Sequence, residues 1–184
     1  MYLPNKYPYN TLRKETVNGS RHYVTPDGHR VASVTTILDA TKPEEAKKAL
    51  REWRKRVGPE KAQQITTEAA GRGTRMHKWL ENYIKTGNMG EPGTNPYSQQ
   101  SFEMARQIVE HGLKNCTEYW GTEVSLYYPE IYAGTTDLVG IHTGSEAIMD
   151  HKQSNKVKKR EWIDDYFIQL TAYANAHNKV WGTN

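Results

Sequence analysis

The chain has 184 residues, 36% of them hydrophobic and 25% charged, a length and balance that predict one globular domain with a buried core and too little chain for two full ones. Its single cysteine, Cys116, excludes an intramolecular disulfide framework and any four-thiolate zinc or iron–sulfur centre within one chain, so a metal would bind oxygen or nitrogen. No run approaches the ~20 apolar residues of a membrane span, and Met1 to Lys6 leads into polar sequence rather than a targeting segment, which reads as a soluble, cytoplasmic protein.

The net charge of +4 is unevenly spread: 17 Lys and Arg face 10 Asp and Glu up to residue 92, and 8 face 11 beyond it. This predicts an anionic partner for the first half and acidic chemistry in the second, set against ordinary solvated charge. With 12 Tyr and 5 Trp against 2 Phe, the aromatic surface tolerates water at one edge.

In chain order, the first twenty residues read as an irregular arm. Arg21 to Thr25 and Arg30 to Ile37 flank Pro26-Asp27-Gly28 as a hairpin. A helix follows from Thr41 to about Val57, stopped by Gly58-Pro59. Another covers Glu60 to Ile84, with a break near Gly71-Arg72-Gly73. Thr86 to Ser98, with three Gly and two Pro, is a flexible surface loop. Phe102, Ala105, Ile108, Val109 and Leu113 trace a helix that ends near Asn115. Strands are predicted at Glu118 to Tyr128, Tyr132 to Ile141 and Glu146 to Gln153, with a last helix from Arg160 to His177. Two parts are expected: an arm, hairpin and basic helical extension over 1–70, and a core over 71–184.

The chemistry concentrates in Tyr132 to Lys152. If Thr143-Gly144 forms the tip of a hairpin, residues whose numbers sum to 287 face one another, so Asp137 lies opposite Asp150. Directly opposed like charges destabilise a sheet unless something neutralises them. Strand alternation puts Lys152 on the face of Asp150, while His151 offers that face only its carbonyl. Two carboxylates, a carbonyl and an ammonium suit a hard cation such as Mg²⁺ or Mn²⁺. The alternative is that Asp137 caps a turn and Asp150 and Lys152 form a surface ion pair.

His77 and Glu81 are four apart, on one helical face. Tyr166, Gln169 and Tyr173 recur at helical spacing on the last helix, whose Phe167, Leu170 and Ala174 also call for burial; Gln169 is a polar amide that needs partners there. For an anionic backbone there are Arg51, Arg54, Lys55 and Arg56 beside Trp53, which is either a stacking platform or a core residue. Arg72, Arg75 and Lys78 flank His77. Lys156, Lys158, Lys159 and Arg160 precede the last helix, whose N-terminus would add its pull on a phosphate.

The series G-T-x-x-H-x-x-x-E (Gly73 to Glu81), G-T-x-D (Gly134 to Asp137), D-x-K (Asp150 to Lys152) and Q-x-x-x-Y (Gln169 to Tyr173) resembles the RecB-like branch of the PD-(D/E)XK nuclease superfamily. Within that branch it is most similar to phage exonucleases and the mitochondrial genome maintenance exonuclease. Ala32-Ser33-Val34-Thr35-Thr36-Ile37-Leu38 ahead of the Trp53 helix extends the match over most of the chain. The resemblance implies an α/β (α+β) restriction-endonuclease-like core, with a mostly antiparallel sheet flanked by helices, and metal-dependent hydrolysis of DNA phosphodiesters; stacking aromatics beside a basic channel suit single-stranded DNA or DNA ends. It implies His77, Asp137, Asp150 and the His151 carbonyl as ligands of one or two Mg²⁺ or Mn²⁺ ions, Lys152 as the group acting on water and transition-state charge, Glu81 as a further acidic residue, and Gln169 and Tyr173 as support.

Two features depart from the family. Cys116 alone forbids the iron–sulfur cluster of some relatives. Only eleven residues follow Tyr173, where relatives continue into a further strand, so the end is expected to be short or to form a reduced edge strand. A structure-specific or nicking endonuclease, an idle nucleic-acid-binding module and a non-nuclease metal protein are the competing functions.

Overall fold

The computed structural model describes residues 1–154 and 157–184. The chain divides into two compact units, one of residues 1–40 with 113–184, the other of residues 41–112. The second unit is therefore inserted in sequence between two stretches of the first, a division that differs from the expected boundary at residue 70.

The first unit is built on a six-stranded, mostly antiparallel sheet. The arm is irregular only as far as Leu12. Strands β1 (Arg13–Val17) and β2 (Ser20–Val24) form a hairpin. Its turn is Asn18-Gly19, both with positive φ (49° and 76°), the pair that a two-residue hairpin turn demands. Strand β3 (Arg30–Ser33) follows the Pro-Asp-Gly turn, but Val34 to Ile37, expected as strand, belong to helix α1 (Val34–Thr41). The Ser33 hydroxyl accepts from the Thr36 amide at 3.0 Å and so caps the start of this helix.

Strands β4 (Cys116–Tyr128), β5 (Tyr132–His142) and β6 (Ser145–Met149) form the antiparallel meander. The turn at Thr143-Gly144 has φ of 48° and 81°, and the register is the one that sums to 287: Leu138 faces Met149 and His142 faces Ser145. β4 lies along one edge of β5. The other edge is shared: β3 runs parallel to its start, at Tyr132 and Ala133, and β6 pairs from Leu138 onward. Residues 134–137 thus lie where two neighbouring strands part.

Helix α5 (Asp164–Trp181) packs on this sheet, burying Gln169, Tyr173, Ala176 and His177. It follows a 3₁₀ turn at Arg160–Trp162 rather than starting at Arg160. Val180 and Trp181 belong to the helix, and Gly182 caps it with φ 66°, so the reduced edge strand expected at the end is not formed. The N-terminal arm lies along β4, where Leu3 and Met1 bond Tyr119 through their backbones. There Tyr7, Tyr9 and Trp181 pack around His177, and Tyr7 also meets Trp120 of β4. The Tyr9 hydroxyl bonds His177 Nε2 at 2.9 Å, and Thr183 Oγ1 bonds Nδ1 at 2.8 Å.

The second unit is helical. Helix α2 (Glu44–Val57) ends at Gly58, with φ 84°. Helix α3 (Pro59–Thr86) continues without a break through Gly71-Arg72-Gly73. The cost of each glycine, about 1 kcal/mol, is offset by the buried face of Met76, Leu80 and Ile84, and the Arg75 guanidinium lies over Gly71. Helix α4 (Pro96–Gln107) is capped by Asn95, whose side chain accepts from the Tyr97 amide at 2.9 Å, and passes into a π turn at Ile108–Gly112 in place of the expected helix to Asn115.

Burial holds the His177 imidazole below its ordinary value of 6.5, with Glu146 acting weakly the other way. A depressed value in the folded state means that the unfolded chain takes up the proton first. The contribution of His177 is therefore intact above pH 6.5 and is lost as the pH falls below it. Thermal melts between pH 7.5 and 5 should show a steeper fall in Tm for the native protein than for His177→Gln; equal slopes would contradict this.

Candidate functional site

The parted strands around Gly134-Thr135-Thr136-Asp137 explain that motif residue by residue. A Cβ on Gly134 would lie 2.3 Å from the Tyr173 ring, so only glycine leaves room for the aromatic. Thr135 Oγ1 bonds the Tyr23 hydroxyl at 3.0 Å. Thr136 Oγ1 donates to the Met149 carbonyl at 2.9 Å, tying β5 to the last residue of β6. Asp137, only 9% exposed, follows at the point where β6 leaves.

β6 stops at Met149 instead of running to Gln153, so strand alternation does not govern Asp150 to Lys152. Side-chain contacts bring them together instead. The His151 amide donates to Asp137 Oδ2, and Lys152 Nζ is ion-paired with Asp150 Oδ2. The Asp150 side chain is 6% exposed and that of Lys152 37%, so the acid is fixed inside while the ammonium reaches the surface.

Sequence reasoning missed Glu123. In β4, Thr122 faces Leu138 and Val124 faces Thr136, which puts Glu123 opposite Asp137. A carboxylate oxygen of each lies within 4.8 Å of the other. Glu123 has φ 52°, a left-handed conformation that costs a non-glycine residue about 1 to 3 kcal/mol and that clusters at functional sites. The Thr122 hydroxyl donates to the Asp137 carbonyl at 3.0 Å and braces the same step of the ladder. Nothing in the strand alternation signals this glutamate, because the signal is its register against Asp137. β4 thus brings Glu123 to Asp137 of β5, and the segment that leaves β6 brings the His151 amide to the same carboxylate.

Gln169 and Tyr173 approach from α5, both buried. Gln169 Nε2 donates to the Tyr173 hydroxyl at 3.0 Å, which answers the amide's need for a partner. Burial pushes the Tyr173 phenol up, the Gln169 bond opposes this, and the nearby charges of Asp150 and Asp137 push it up further. Tyr173 is thereby kept as a neutral hydroxyl beside the acids.

The remaining candidates are distributed differently. His77 and Glu81 lie on α3 of the second unit, both half-buried, and Glu81 pairs with Lys85 at 2.6 Å. Arg72 is half-buried there. Arg75 is committed to α4: its Nε donates to Ser101 Oγ at 3.2 Å and its guanidinium lies 5.9 Å from the Tyr97 ring. Arg51 pairs with Glu44 at 2.6 Å, Arg54 and Lys55 are exposed, and Trp53 is half-buried on α2, a helix with no buried residue. Lys156 lies outside the described residues. Lys158, Lys159 and Arg160 are exposed, but α5 opens with Asp164 and Asp165, and Arg160 is paired with Asp164. Two carboxylates in the first turn already complement the helix dipole there.

Glu123 and Asp137 could hold a hard cation between them. Oxygens within 4.8 Å of each other are spanned by one ion with oxygen ligands at about 2.0 to 2.6 Å. No protein-family model matches the chain, and no curated protein matches it.

Gly134→Ala should destabilise the first unit by about 1 to 3 kcal/mol through overpacking against Tyr173, read by urea denaturation. Pairing it with Tyr173→Ala should recover part of that loss. A neutral Gly134→Ala would mean that the glycine is not there to admit the ring.

Proposed function

We propose that the protein is a metal-dependent deoxyribonuclease of the PD-(D/E)XK type, an exonuclease acting on single-stranded DNA or free DNA ends. The observation that carries this reading is the convergence of Glu123, Asp137 and the Asp150–Lys152 pair at the parting of β3 and β6. A pure binding module has no use for carboxylates crowded on neighbouring strands, since each pair of like charges is a cost to folding. The sequence resemblance adds His77 to the ligand set and supplies the exonuclease mode.

A bound Mg²⁺ or Mn²⁺ would supply Lewis-acid polarisation of a phosphoryl oxygen and of the attacking water. Glu123 and Asp137 would hold it. Asp137 is oriented by the His151 amide, and Asp150 aims the Lys152 ammonium. From its half-exposed position, Lys152 donates a hydrogen bond to the water or to the non-bridging oxygens and steadies negative charge as it grows in the transition state. Tyr173, fixed by Gln169, is a positioning residue that keeps the neighbourhood of Asp150 dry and neutral on its inner side.

Purified protein incubated with end-labelled linear and circular DNA and Mg²⁺ or Mn²⁺ should degrade linear substrates and spare circles. Lys152→Ala and Asp150→Asn should each slow cleavage by at least about 100-fold, while binding to the same DNA stays within a few-fold of native. Cutting of circles would make the protein an endonuclease of the same chemistry. Native rates in both variants would remove the site.

A further inference from the structure

Beyond the acids, the segment that leads into α5 carries its aromatic rings outward. Trp162 is 57% exposed and Phe167 46%, although Phe167 was expected to be buried. Each carries a cation on its face: Lys159 Nζ lies 5.4 Å from the Trp162 ring centre, and Arg160 Cζ lies 4.2 Å from that of Phe167. A third pair of the same kind, Lys152 Nζ 5.6 Å from the Tyr166 ring, joins this row to the lysine already bonded to Asp150. Tyr166 and Phe167 are consecutive on α5, so the segment adjoins the candidate site within one unit of the chain.

Resting on the nuclease reading above, we propose that Trp162 and Phe167 form a stacking ledge for the unpaired bases of a nucleic-acid strand whose phosphodiester lies at Asp150 and Lys152. Flat rings at the surface offer stacking to any base, and cations beside them offer charge to the phosphates between bases. Cation–aromatic pairing at an exposed site contributes only ~0.5–1 kcal/mol. A strand therefore displaces it readily, the base taking the ring and the phosphate taking the cation. Arg160 is held in place by Asp164, and the acids Asp164 and Asp165 at the helix start repel phosphates from that end. The charge thus steers the backbone to the lysine side and the bases to the rings. A duplex keeps its bases stacked on one another and presents no free face, so the ledge selects for single strands. An apolar partner surface would meet three buried charges' worth of desolvation at Lys158, Lys159 and Arg160, which argues for the polyanion instead.

The test is equilibrium binding in EDTA, without divalent metal, of fluorescent oligothymidylate, an abasic phosphodiester of the same length and a duplex. Trp162→Ala and Phe167→Ala should each weaken oligothymidylate binding by roughly tenfold, Trp162→Phe should bind like the native protein, and abasic binding should not change. An equal loss on both single-stranded ligands, or no loss, overturns the ledge. So does self-association of the native protein that Trp162→Ala abolishes while oligonucleotide binding is unchanged. Because no metal is present, the readout is independent of cleavage: base-dependent binding with no cleavage in Mg²⁺ faults the nuclease reading, and cleavage with base-independent binding faults the ledge alone.

Discussion

The constraint on which this structure turns is like charge held close on neighbouring strands. Asp137 is nearly buried, with a Glu123 oxygen within 4.8 Å on one side and Asp150 one step past the last β5–β6 pair on the other. Folding alone would not favour that arrangement. The sheet tolerates it by opening at that point: β3 has left β5 and β6 has not yet joined it. At the freed edge the His151 amide donates to Asp137 and the Thr136 hydroxyl donates to the Met149 carbonyl.

Around that opening, small local choices serve the same end. Gly134 is empty so that Tyr173 can fill the space, and Thr136 replaces ladder hydrogen bonds where the strands part. Lys152 is long enough to bond a buried acid from a half-exposed position. Tyr7 against Trp120 and the backbone bonds of Met1 and Leu3 to Tyr119 pin the N-terminal arm to β4, the strand that carries Glu123. The arm is thereby a support for the register that the site depends on.

Much of this could be read from residues. Thr143-Gly144 dictated a two-residue turn, and through it the register that sets Leu138 against Met149, one step short of the Asp137–Asp150 pair that was expected. The meander and the burial of Gln169 and Tyr173 were legible from alternation and helical spacing. What escaped has physical causes. Asn18-Gly19 is a hairpin signal that the surrounding arm, with Pro4 and Pro8 and no strand periodicity, masks. Gly71 and Gly73 do not break α3, because packing of Met76, Leu80 and Ile84 outweighs propensity. Glu123 was invisible because its role arises from the pairing of β4 with β5, two strands whose mutual register is shifted by irregularities near Glu118 and Gly121. The exposure of Phe167 was missed because helical periodicity reports an apolar face without saying whether a neighbour covers it.

The account stands or falls on whether the crowded acids bind a divalent ion. Mn²⁺ titration of the native protein, followed by electron paramagnetic resonance of the free ion, measures this without reference to any reaction. Saturable uptake of one or two ions, lost in Asp137→Asn and weakened in Glu123→Gln, is the predicted result. Uptake that is absent in the native protein, or identical in both variants, would contradict it.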